Sequence, residues 1–125
     1  MVAEKTYIRA LGQLLRTRWE RRLGIDLEVQ TERLMPGPNG ENFHADIALQ
    51  SPADRLPRVL FEVKSPGAAP EGVEAALRRL LDSRRYIELL GGQIPTVVLV
   101  VARGDEEEGR RIVRSVSDEV RLEAA

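Results

Sequence analysis

Residues 58–67 read RVLFEVKSPG. Val59, Leu60, Phe61 and Val63 form an apolar run of strand length, closed by the turn formers Ser65, Pro66 and Gly67. Two charges interrupt it. Side chains along a strand alternate with a period of two, so Glu62 and Lys64 are aimed at one face. Burying a carboxylate or an ammonium is costly unless the charge is paired or coordinates a metal. The segment therefore reads as a buried strand whose two charges have a task.

The neighbouring segments fix its place. FHADIALQ, residues 43–50, is a second strand, and SPADRLP, residues 51–57, is a turn short enough to make the two a hairpin. Upstream, IDLEVQTERL (25–34) alternates Ile25, Leu27 and Val29 with Asp26, Glu28 and Gln30, the pattern of a half-exposed strand. MPGPNGEN (35–42) is a loop of turn formers. Before these, Ile8, Leu11, Leu15, Trp19 and Leu23, with Leu14 beside them, space out an amphipathic helix from about residue 4 to 23, ended by Gly24.

Downstream, a second helix is predicted from about residue 71 to 90, closed by Gly91 and Gly92. IPTVVLVVA (94–102) is apolar throughout, as a central strand covered on both faces is. The segment 104–122 is predicted as a last helix, with Asp105 and Glu108 as a capping box. The order α-β-β-β-α-β-α predicts an α/β fold: a mixed sheet flanked by helices in three layers, plus a C-terminal helix. No linker or repeat divides the chain, so residues 1–125 are expected to be one domain.

Composition narrows the function classes. A net charge of -1, with 42% hydrophobic and 31% charged residues, describes an ordinary globule, and excludes binding of polyanions by bulk charge. Any nucleic-acid contact must come from a local patch. There is no cysteine, hence no disulfide and no thiolate zinc site. The opening MVAEKTYIRA lacks the apolar core of a signal peptide, and no apolar run reaches membrane-spanning length, so a cytoplasmic protein is expected. Of 19 basic residues two are Lys, Lys5 and Lys64, and the rest are Arg. Lys is a compact charge with a tunable pKa, whereas Arg is bulky and permanently charged. A Lys in the buried strand of an Arg-rich chain points to chemistry at Lys64.

Asp46 on the second strand joins Glu62 and Lys64 on its hairpin neighbour. Two carboxylates and a backbone carbonyl from adjacent strands suit a hard divalent ion such as Mg²⁺, which takes oxygen ligands. A lysine beside them can orient and help deprotonate an attacking water, or stabilise negative charge developing on phosphorus. The competing reading is a structural ion pair between Glu62 and Lys64.

An Asp at a strand start, then Glu-x-Lys at the end of the next strand, inside α-β-β-β-α-β, resembles the PD-(D/E)xK nuclease superfamily. HADIAL and LFEVKS are close to how its compact, Holliday-junction-resolvase-like members read, and the order covers residues 4 to about 101. Ala45 stands where a Pro is usual before the Asp. The resemblance implies the restriction-endonuclease-like fold and Mg²⁺-dependent hydrolysis of phosphodiester bonds in DNA, with Mn²⁺ able to substitute. It implies Asp46, Glu62 and the carbonyl of Val63 as metal ligands and Lys64 as the positioning residue. Since the superfamily includes inactive members, a catalytically silent binding or assembly module is the alternative.

The resemblance also implies a Glu in the first helix that completes the site. At ~100° per residue, Glu4 falls within ~20° of the centre of the apolar stripe, whereas Glu20 falls on the opposite face, which selects Glu4. On the second helix, Arg84 is a candidate to meet a phosphate, or else pairs with Glu88 at i,i+4. Arg78, Arg79 and Arg85 with Tyr86 make a basic, partly aromatic surface suited to nucleic-acid backbone, or a solvated helix face. Cutting both strands of a duplex takes two sites, so a twofold homodimer is expected.

Overall fold

The computed structural model describes the backbone of residues 2–125 and the side chains of residues 5–125. The elements run α1 (Val2–Leu23), β1 (Glu28–Pro36), a 3-10 turn (Pro38–Gly40), β2 (Asn42–Gln50), β3 (Val59–Val63), α2 (Pro70–Leu89), β4 (Thr96–Val101), α3 (Glu106–Val116) and β5 (Arg121–Ala124). The five strands form one open sheet in sequence order. β1, β2 and β3 pair antiparallel, as tight connections allow, while β3, β4 and β5 pair parallel, with α2 and α3 as the crossovers. The fold is α/β with a mixed sheet, as the sequence predicts.

The apolar pattern decides which helix covers which face. Leu11, Leu15 and Trp19 of α1 bury against Ile47, Phe61, Val98 and Val100. Val73, Leu77, Leu80 and Ile87 of α2, with Ile112 of α3, bury against Ala48, Leu60, Val97 and Leu99. Each of Val97 to Val101 is at most 1% exposed, which explains why β4 has no polar alternation. Phe61 is fully buried and meets Trp19 edge-on, with ring centroids 6.1 Å apart. Burial of one such side chain stabilises the fold by roughly 1.5–3 kcal/mol. α1 stops at Gly24, whose φ of 67° only glycine adopts freely and whose N–H reaches the Glu20 carbonyl at 2.8 Å.

The C-terminal region corrects one expectation. Segment 104–122 is not a single helix: α3 ends at Val116, Ser117 is extended, and Arg121–Ala124 form a fifth strand. The stripe Ile112, Val113, Val116, Val120 has helical spacing, which hid the break. Ser117 competes with the helix, because its hydroxyl accepts the Glu119 N–H at 3.1 Å. The strand that follows covers the edge of β4, which would otherwise leave a row of backbone groups unpaired. Gly109 lets α3 lie close over this strand: a Cβ there would come within 2.7 Å of Leu122 Cδ1 and 3.0 Å of Val101 Cγ1.

The predicted capping box is also absent. Asp105 occupies the N-cap position without a side-chain cap hydrogen bond, and the Glu106 carboxylate instead accepts the Gly104 N–H. Among the described residues, no helix is long and apolar enough to cross a membrane.

Candidate functional site

β2 and β3 part near their shared end, and a break in the pleat places Asp46 there. The β1–β2 register runs from Thr31↔Ile47 to Arg33↔Ala45 and omits the pair between them, Glu32 and Asp46. Glu32 has a φ of 48°, a left-handed conformation that costs a non-glycine residue energy. Ala45 and Ile47 are two residues apart yet pack on opposite faces, Ala45 with the α2 side and Ile47 with the α1 side. The alternation therefore fails at Asp46. Its carboxylate turns to β3, where Oδ2 accepts the Val63 N–H at 2.8 Å.

Asp46, Glu62 and Val63 line one cleft of about 470 Å³. Its other walls come from Lys5, Ile8 and Arg9 of α1, Thr31 and Glu32 of β1, and Ser65 after β3. Burial, and then the Asp46 carboxylate beside it, push the Glu62 carboxyl up to about 8; the Asp46 effect comes through its charge and a hydrogen bond that favours the protonated form. Two oxygen-donor groups that share a proton in the absence of a cation are a donor set that a hard divalent ion fits. No group of three or more His, Cys, Asp or Glu that could hold a metal stands together among the described residues. Mg²⁺ needs fewer, because it keeps several waters beside one or two carboxylates. Glu4, the expected third carboxylate, lies outside the described side chains.

Lys64 is buried, but its ammonium has a different neighbour. Its Nζ lies 3.5 Å from Glu108 Oε2 in the first turn of α3, and the Lys64 side chain is 3% exposed. No ion pair within 4.0 Å joins Lys64 to Glu62 among the described residues. The structural Glu62–Lys64 pair is thus not formed. Glu108, read as half of a capping box, is the partner that the sequence did not reveal.

The α2 residues lie elsewhere. The Arg84 Nε donates to the Pro95 carbonyl at 3.1 Å and its Nη1 to Glu119 Oε2 at 3.0 Å, ahead of β4 and so at the opposite end of the parallel strands from Glu62. No ion pair joins it to Glu88, its expected alternative partner, among the described residues. Arg78 donates to the Ser115 carbonyl and lies 3.9 Å from Glu74. Arg79 and Arg85 are exposed, Tyr86 is half-buried, and none of the three lines the cleft. The cations that do line it are Lys5 and Arg9, to which the sequence pattern assigns no role. The available signal was that Lys5 is the other lysine of an Arg-rich chain.

Set against family models, curated proteins and solved structures, the chain matches none of them.

Proposed function

We propose that this chain is a divalent-metal-dependent nuclease of restriction-endonuclease-like fold that hydrolyses phosphodiester bonds in DNA at the cleft between α1 and the ends of β2 and β3. The observation that carries the reading is the convergence of Asp46 and Glu62 from adjacent strands in a cleft that Val63 also lines. The order α-β-β-β-α-β, with α1 on one face of a mixed sheet and α2 on the other, supports the fold assignment.

In this reading Asp46 and Glu62 hold the ion through carboxylate oxygens and Val63 through its carbonyl. A bound Mg²⁺ would supply a Lewis acid for the phosphate and an acidified water. The Asp46 carboxylate is fixed for its part by the Val63 N–H, so ligand and β3 backbone move as one unit. Lys64, buried directly after β3, would be the positioning residue. It is not among the residues that line the cleft, and its Nζ lies 3.5 Å from Glu108 Oε2 of α3, the helix that packs on the α2 side.

The second reading, a silent module of the same fold, is favoured by one observation. The Lys64 ammonium is already neutralised by Glu108, which would leave metal and nucleic-acid binding without hydrolysis. A cleavage panel of duplex, branched and single-stranded DNA with Mg²⁺ or Mn²⁺ tests both readings. Metal-dependent cutting that disappears in Lys64→Ala is the result expected of the enzyme. Metal binding without cleavage of any substrate supports the silent module, and neither metal binding nor cleavage removes both.

A further inference from the structure

The metal-binding floor of the cleft has a cationic wall, and the geometry points to Lys5 and Arg9 as the residues that grip the phosphates of a nucleic-acid strand on its way to Asp46 and Glu62. The inference rests on the nuclease reading and adds the path of the substrate: along α1, not along the arginines of α2.

Lys5 and Arg9 stand four residues apart on α1, so both project from the same side of the helix about 6 Å apart along its axis. This is the order of the spacing between successive phosphates on a strand. Both side chains are exposed, and both line the cleft whose floor holds the carboxylates. Neither takes part in an ion pair or side-chain hydrogen bond among the described residues. Elsewhere on α1 three of the four other cations are engaged, Arg16 with Glu20 and Arg18 and Arg22 with Glu123, while Arg21 is exposed but does not line this cleft. On α2, Arg78 and Arg84 face Glu74 and Glu119. The hydroxyls of Thr31 and Ser65, on the other walls, add neutral groups suited to phosphate oxygens.

The chain as a whole is weakly acidic, so a polyanion is drawn only where cations are free and close together. The cleft combines free cations at the wall with ion-binding carboxylates beneath, which suits a phosphodiester better than a carboxylate ligand. Both lysines of the sequence, Lys5 and Lys64, lie at this end of the sheet.

The test is fluorescence anisotropy of a labelled single-stranded oligonucleotide across a salt series, for the wild type, Lys5→Ala/Arg9→Ala and Arg79→Ala/Arg85→Ala. A lost phosphate contact on a single strand lowers the slope of log K against log salt by about 0.7, so the first variant is expected to lose about 1.4. The second variant is expected to keep the wild-type slope. An unchanged slope in Lys5→Ala/Arg9→Ala, a loss confined to Arg79→Ala/Arg85→Ala, no binding by the wild type, or equal wild-type affinity for polyglutamate would each overturn the inference. Calorimetry with Mn²⁺ and the cleavage panel on the same proteins report the nuclease reading separately: metal binding and cleavage by the wild type, with a salt slope unchanged in Lys5→Ala/Arg9→Ala, overturn the strand path and leave that reading standing.

Discussion

Two glutamates near the sheet end face the same physical pressure with opposite results. Glu62 and Glu123 are both half-buried, so desolvation works against the charge of each. At Glu123 that penalty is outweighed: Arg22, Arg18 and the Trp19 indole N–H all donate to its carboxylate, at 2.9–3.0 Å, and hold it below the usual carboxylate range. The result ties β5 to α1 across the end of the sheet. At Glu62 the neighbour is another carboxylate, which adds to the burial penalty instead of offsetting it. A fold that can surround one carboxylate with three donors has the means to neutralise the other. Leaving it beside Asp46 makes sense where a cation completes the set.

The largest effect expected from breaking this contrast is on chemistry. Lys64→Arg keeps a positive charge near Glu108 but replaces a compact ammonium with a planar guanidinium. Hydrolysis is expected to fall by at least ~100-fold, measured on the best substrate of the cleavage panel, the order of loss usual for a positioned catalytic group. Full activity in that variant would remove Lys64 from the mechanism.

Removing the clamp is next. Glu123→Ala takes the carboxylate acceptor from Arg18, Arg22 and Trp19, leaves Arg18 with the Ala124 carbonyl alone and loosens β5, at a cost of about 2–3 kcal/mol. Denaturant unfolding reads this directly, and Mn²⁺ affinity should be unaffected. A variant as stable as the wild type would mean that the cluster is a solvated surface network.

The pH dependence sharpens the comparison from the other side. The folded protein holds a proton on Glu62 up to about 8, whereas the unfolded chain releases it near 4.5. Stability from this group is therefore complete below the lower value and lost as pH rises towards the upper one, in the absence of a divalent ion. Partial solvent access limits the effect to on the order of 1–3 kcal/mol. Glu62→Gln should flatten the fall in unfolding free energy between pH 5 and pH 8, and a wild-type protein whose stability does not fall over that range would contradict the carboxylate pair. Glu123 acts in the opposite sense, since its stabilisation is lost as pH drops below the ordinary carboxylate range.

The strands were legible because their patterns are one-dimensional. The uninterrupted apolar run of 94–102 and the short turn between 50 and 58 leave few alternatives, and the hairpin brings Asp46 and Glu62 together without knowledge of the helices. β1 is shifted from the expected 25–34 to Glu28–Pro36, so Ile25 and Leu27 of the alternation precede it and Met35 and Pro36 of the expected loop belong to it. The break in the pleat at Asp46 is different. It depends on the conformation of Glu32, whose side chain gives no sign of a left-handed backbone. The contacts of Lys64 with Glu108, Arg84 with Pro95 and Lys5 with the cleft depend on how far along the sheet each helix is set, which periodicity does not encode. β5 was missed because four residues of strand are too few to outweigh the helical stripe that runs into them.

The nuclease reading requires Asp46 and Glu62 to hold one divalent ion together. Calorimetric titration of Mn²⁺ into the wild type and into Asp46→Asn tests it most directly. One saturable site is expected in the wild type and none in the variant, whose unfolding transition stays cooperative. Equal Mn²⁺ affinity in the two proteins would contradict it.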